Sequence, residues 1–141
     1  MAEHNIIGQK GEQIAVETMR KKGFRVVDTN WKFGHLEMDV IAVNRKEIAF
    51  VEVKTRTSSF GDKRPEEFVD ELKRRRMAAA ANAYIKIHQI ELVPRFDIIG
   101  ISMDPNTYEV KELTHLEDAF LPPQRTIGKS SFSGQGRWKH R

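Results

Sequence analysis

Three side chains are of the right types and spacing to do chemistry: Asp39 in the segment EMDVIAV, and Glu52 and Lys54 in IAFVEVKT. The rest of both segments is mainly Val, Ile, Phe, Ala and Met, which suits half-buried or buried strands. Side chains alternate faces along a strand, so Glu37, Asp39 and Ile41 share one face, and Met38, Val40 and Ala42 the other. In the second segment Phe50, Glu52 and Lys54 point one way, while Val51 and Val53 point the other. The short polar link Asn44-Arg45-Lys46-Glu47 predicts an antiparallel hairpin. Opposed residues in such a hairpin have Cβ atoms roughly 4.5–5.5 Å apart, which brings Asp39 beside Glu52.

Two carboxylates in an apolar setting need a cation. Burying unpaired charge is costly, and neighbouring carboxylates repel one another and resist ionisation. Mg²⁺ or Mn²⁺ answers both problems, taking oxygen donors, keeping several waters and pairing with phosphate substrates. Lys54, two strand rises or roughly 6–7 Å from Glu52, is placed to hold or deprotonate an attacking water, or to neutralise a phosphate. That chemistry is phosphodiester hydrolysis. On spacing alone, the same residues also suit a cross-strand ion pair of Lys54 with Asp39 or Glu52 on a half-exposed sheet face.

The elements that must position these residues follow from pattern. Apolar residues at helical spacing predict a helix over 8–22, with basic residues in its last turn and Gly23 as its left-handed cap. Strands are expected at Phe24–Trp31, Glu37–Val43 and Ile48–Thr55, then a loop at Ser58–Lys63. Pro65-Glu66-Glu67 opens a helix running to about His88, since Pro favours the first helical position and acids the first turn. Phe96–Ser102 and Tyr108–Leu113 read as further strands joined by a turn at Asp104-Pro105-Asn106. The order α-β-β-β-α-β-β describes a mixed β-sheet flanked by helices, an α/β (α+β) fold. One domain spans 1–120. From Leu121 onward there is no acid and no periodicity, so 121–141 reads as a flexible basic tail.

Composition narrows the function classes. With 39% hydrophobic and 31% charged residues, the chain of 141 fits one globular domain. It has no cysteine, which removes disulfides, thiolate metal sites and cysteine nucleophiles. The five histidines show no zinc-ligand spacing, and no Gly-rich phosphate loop is present. No apolar run nears the roughly 20 residues of a membrane span, and the N-terminus lacks a secretory h-region, so a cytoplasmic location is expected. The net charge of +4 is a weak pointer to nucleic acid; solubility alone explains it as well.

Beyond that pattern, Asp39 with Glu52-Val53-Lys54 resembles the PD-(D/E)xK nuclease signature, carried on neighbouring strands of a hairpin. The fuller likeness is to the YraN-like family, similar to the Holliday-junction-resolvase branch of that restriction-endonuclease-like superfamily. It runs from about residue 8 to 120 and rests on Gly11-Glu12 with Ala15, Gly23-Phe24, Asn30-Trp31, Gly34 and Glu37 to Ala42. It continues through Phe50 to Arg56, Phe60-Gly61, Pro65-Glu66, Lys73 with Arg75-Arg76, Ala83-Tyr84 and Arg95-Phe96-Asp97. Leu36 departs from it, where many members have Gly. The resemblance implies Asp39, Glu52, the Val53 carbonyl and Glu12 as ligands of Mg²⁺ or Mn²⁺, with Lys54 as catalytic lysine and Glu37 as an outer acid. It implies structure-specific rather than sequence-specific DNA as partner, and a homodimer. Lys73, Arg75, Arg76 and Arg56 are the expected phosphate contacts, though a solvated charged face suits the run 73–76 too. Glu12 also suits a dipole-favoured first-turn acid, while Trp31 and Tyr84 are expected in the core. A binding module with a vestigial nuclease site, and a scaffold using its basic tail, remain the alternatives.

Overall fold

A computed structural model describes residues 2–59, 61, 63 and 65–121; the expected basic tail lies outside them. The elements are α1 (Ala2–Lys21), β1 (Arg25–Phe33), β2 (Leu36–Val43), β3 (Glu47–Arg56), a 3-10 turn (Pro65–Phe68), α2 (Glu71–His88), β4 (Val93–Met103) and β5 (Val110–Leu116). The order is α-β-β-β-α-β-β. The strands form a five-stranded mixed sheet, β1-β2-β3-β4-β5, in sequence order. β1, β2 and β3 form an antiparallel meander, α2 carries the chain across one face so that β4 runs parallel to β3, and β5 returns antiparallel. The helices sit on opposite faces.

Each face closes its own core. Ala15 and Met19 of α1 pack with Val40, Ala42, Ala49, Val51, Ile99 and Ile101. Met77, Ala80, Ala81 and Tyr84 of α2 pack with Ile41, Ile48, Phe50, Phe96 and Ile98. A fully buried Ile or Phe of this kind stabilises by about 1.5–3 kcal/mol. β3 and β4 are covered on both sides, which explains their nearly unbroken apolar sequence. Tyr84 is buried with its OH donating to Asp28 Oδ2 at 2.9 Å, and Trp31 stacks edge-on against it, so both aromatics belong to this core.

Several boundaries differ from the pattern-based expectation, beyond shifts of one to three residues at other strand ends. α1 begins at Ala2, not at residue 8, and Ile7 packs on the α1-side core. The helix expected from Pro65 is two pieces. The 3-10 turn ends at Phe68, Val69 is drawn into the core, and Asp70 restarts the chain with extended backbone, its Oδ1 accepting the Lys73 N–H at 2.8 Å. An Asp in that position is a strong helix N-cap, and it won over the proline signal. β4 starts at Val93, where the backbone bonds to Lys46. β5 starts two residues later than expected, because Tyr108 adopts φ +63, outside strand geometry, and Asp104 organises the preceding loop by accepting the Asn106 and Thr107 N–H groups.

The C-terminal end of α1 closes as its sequence predicts. Gly23 takes φ +95, the Phe24 N–H reaches the Met19 carbonyl (3.1 Å) and the Gly23 N–H the Arg20 carbonyl (3.0 Å). Beneath this end lies a charged network. Asp97 of β4 is fully buried and accepts from Arg95 Nη2 (3.0 Å), His115 Nε2 (2.7 Å) and the Asp118 N–H (3.0 Å). Arg95 also pairs with Glu47 (3.1 Å) and lies over the Phe24 ring, and Lys22, in the turn just after α1, bonds Glu117 (2.9 Å) and His115 Nδ1 (2.8 Å).

Candidate functional site

β2 and β3 are paired from Val43↔Ile48 to Val40↔Val51, and then they separate. Beyond Val40, β2 remains bonded only to β1, through Trp31↔Met38 and Phe33↔Leu36. A two-stranded ribbon coils more strongly than a broad sheet, and the face alternation breaks here. Met38 joins the α2-side core although Val40 joins the α1-side core, a correction to the simple alternation that places both on one face. Asp39 stands at that break. Its Oδ2 accepts the Val53 N–H at 2.8 Å, filling the place of the next ladder rung. The carboxylate is thus held at a fork in the sheet, next to the strand that carries Glu52.

The fork opens into a polar cleft of about 300 Å³ lined by Asn5, Gly8, Gln9, Glu12, Asn30, Asp39, Val53 and Thr55. Asn5, Gly8, Gln9 and Glu12 recur at the 3–4-residue spacing of one helical face. α1 can approach β3 this closely only because residue 11 is glycine: a Cβ there would collide with Thr55 Cγ2. Glu12 hangs into the cleft with Oε1 held by Asn30 Nδ2 at 2.9 Å, while its buried Oε2 has no hydrogen-bond partner. Asn30 is itself in the left-handed region, φ 49, which Asn tolerates better than most residues.

Glu52 is buried, and Lys73 Nζ of α2 lies 3.5 Å from its Oε1 as an ion pair. Burial pushes its carboxyl well above the usual range, the neighbouring Asp39 charge pushes it further, and Lys73 and then Lys54 oppose the rise. Asp39 is raised too, first by burial and then by Glu37 and Glu12, against the Val53 hydrogen bond and Lys73. The structure therefore brings Asp39 and Glu52 together as two mutually repelling acids. Glu12 lies on the same cleft, and Glu37 is exposed but close enough for its charge to act on Asp39. Lys54 is half-buried and acts on Glu52 through its charge.

The cations of α2 fan out. Lys73 turns inward to Glu52, Arg74 lies over the Phe120 ring, Arg75 pairs with Glu71 in solvent at 3.0 Å, and Arg76 is exposed. Arg56 is half-buried at the end of β3. Pattern reasoning missed Asn30 as the residue holding Glu12, and missed Lys73 as a partner of Glu52. An Asn within a strand-like run was the one available signal for the first; nothing local signals the second.

Among the described residues no three acid or imidazole groups already converge on one point. Yet the donors fit a hard divalent cation: all are oxygens, buried Glu52 and half-buried Asp39 are under-neutralised, and Glu12, which lines the cleft with Asp39, has an oxygen without a hydrogen-bond partner.

A family model described as "Uncharacterised protein family UPF0102" matches residues 11–101. A UPF0102 protein of Parabacteroides distasonis is 42% identical over 125 residues, covering 89% of this chain and 100% of that relative. One from Bacteroides thetaiotaomicron is 40% identical over 123 residues, covering 87% and 98% respectively. Among solved structures, Pyrococcus furiosus SfsA in complex with Ca²⁺ matches with a TM-score of 0.38 and 12% identity, over 81% of this chain and 63% of that one, a likeness too weak to carry an argument. Among the described residues no helix is long and apolar enough to cross a membrane.

Proposed function

The chain belongs to the UPF0102 family, and we propose that it is a metal-dependent endonuclease hydrolysing phosphodiester bonds in DNA. The observation that carries this reading is the acid pair at the fork: Glu52 is buried and Asp39 half-buried, with less positive charge than they need. Folding alone gives no reason to keep such a pair, because uncompensated buried charge costs stability.

Asp39, Glu52 and the free oxygen of Glu12 are the groups that would hold Mg²⁺ or Mn²⁺, with the Val53 carbonyl available from the backbone. When bound, such an ion supplies Lewis-acid polarisation of a phosphoryl oxygen and a bound water of lowered pKa. The protein's own part is positional. The Val53 N–H fixes the Asp39 carboxylate, Asn30 fixes one oxygen of Glu12, and the rigid, doubly covered β3 fixes Glu52. Lys54, next but one along β3, brings an ammonium to the same end of the strand. There it can take a proton from the attacking water or offset the growing charge on the phosphate.

The cleft is large enough for a phosphate and its neighbouring groups, far narrower than a duplex, so most of a DNA partner must lie across the outer surface. Exposed Arg75 and Arg76, together with Arg56, supply sequence-independent phosphate attraction there. This favours recognition by shape, and a homodimer would give two symmetric nicks on a branched substrate. Purified wild type, Asp39→Ala and Lys54→Ala, assayed on branched, flapped and duplex DNA with Mg²⁺ or Mn²⁺, test the proposal. Wild type should cleave, and each variant should lose about a thousandfold or more in rate while keeping its circular dichroism and much of its DNA affinity. Cleavage by the double variant at the wild-type rate rejects the assignment. Tight binding with no cleavage under any divalent ion favours a binding module instead.

A further inference from the structure

The cation in contact with the acid pair is not the one on its own strand. Lys73, in the first turn of α2, reaches across the sheet face to place Nζ 3.5 Å from Glu52 Oε1, and its charge also acts on Asp39. Its backbone is fixed, since the Lys73 N–H donates to the cap residue Asp70. Its stem is not: the side chain is 34% exposed while that of Glu52 is 9% exposed. A compact ammonium on a four-carbon tether can therefore leave the carboxylate by rotating into solvent, without any movement of α2.

We propose that Lys73 is a tethered stand-in for the divalent cation, neutralising Glu52 in the metal-free protein and leaving it when metal binds. This rests on the metal site proposed above and adds a regulatory element to it. A part-exposed ion pair contributes little, whereas a hard dication can draw on two carboxylates at once. The exchange runs downhill once metal is present. The released ammonium, repelled by the new positive charge, lies at the lip of the fork, where an incoming phosphate would be. Metal and nucleic acid then reinforce each other's binding through one side chain, and thermodynamic reciprocity requires the coupling to be equal in both directions.

The test uses the full chain and Mn²⁺ alone, with no nucleic acid. Lysines are acetylated briefly with a small amine-reactive reagent along a Mn²⁺ titration, at ionic strength matched with KCl, and quantified by peptide mass spectrometry. Calorimetry on the same protein gives the Mn²⁺ affinity. Acetylation of Lys73 should rise several-fold with a midpoint equal to the calorimetric Kd, while exposed Lys86 stays constant. Lys73→Gln should bind Mn²⁺ about tenfold more tightly than wild type, since one nearby charge alters a carboxylate's cation affinity by at least that much. Binding seen only in Lys73→Gln overturns the exchange, because metal then fails to displace Lys73 in the wild-type protein. Mn²⁺ binding with unchanged Lys73 reactivity overturns the exchange and leaves the metal site standing. No binding heat in either protein overturns the metal site itself.

Discussion

Acids withdrawn from solvent lie in two places, one under the C-terminal end of α1 and one at the fork between β2 and β3, and the protein treats them in opposite ways. Under the C-terminal end, burial alone would raise the Asp97 carboxyl, but His115, the Asp118 N–H and Arg95 together outweigh it and hold the acid below its usual range. At the fork, the effect of burial is compounded by neighbouring acid charge, Asp39 acting on Glu52 and Glu37 and Glu12 on Asp39, and both carboxyls rise. The residue types are alike and the sheet is the same. What differs is whether the fold supplies the partners. An acid whose charge the fold fully answers holds the structure together; one left short of positive charge weakens it and waits for something to bind.

The largest effect should come from breaking the satisfied end. Asp97→Asn leaves buried Arg95 facing a neutral amide and should cost about 3–5 kcal/mol, read as a lower urea midpoint at unchanged slope. Because the folded pKa of Asp97 lies below the ordinary value of 3.8, its stabilisation is complete above that value and is lost as pH falls through the folded pKa. The deficit of the variant should therefore shrink only in strong acid. A variant as stable as wild type would reduce the network to surface decoration.

A smaller effect is expected where α1 meets β3. Gly11→Ala sets a Cβ against Thr55 Cγ2 and should cost about 1–3 kcal/mol through overpacking. Thr55→Ser, which removes that methyl, should return part of the loss in the double variant. Additive losses would mean that Gly11 matters for some reason other than this contact.

The smallest effect has the opposite sign and sharpens the comparison most. Glu52→Gln removes an under-neutralised charge and should stabilise the metal-free protein by about 1–2 kcal/mol at pH 8. The folded pKa of Glu52 lies above its ordinary 4.5, so the folded state retains a proton that the unfolded chain has released in between, and wild-type stability falls as pH rises through that window. The gain should accordingly fade as the pH approaches 4.5 from above. Destabilisation at pH 8 would mean that Glu52 is a structural acid like Asp97.

Much of the frame was legible from pattern. The element order, the β2–β3 hairpin and the glycine cap of α1 follow from residues close in sequence, where periodicity and turn chemistry act, whereas the expected cross-strand pair of Asp39 with Glu52 is absent because the ladder ends at Val40↔Val51. Errors fell where a local signal met a tertiary one. Pro65 announced a helix, but burial of Val69 and the Asp70 cap moved its start to Glu71. Alternation placed Met38 with Val40, but the loss of β3 as a neighbour let the ribbon coil and turned Met38 to the other face.

By itself, then, the sequence determined which segments become strands and helices, in what order, and that Asp39 and Glu52 lie on adjacent strands of one hairpin. Tertiary structure alone decided that Lys73 rather than Lys54 touches Glu52, that Asn30 holds Glu12, and that Asp97 finds His115 and Arg95. The physical reason is range. Backbone preference and side-chain alternation act over a few residues, whereas the charge balance of a buried acid depends on groups as distant in the chain as Lys22 and His115, 93 positions apart, which only packing can make neighbours.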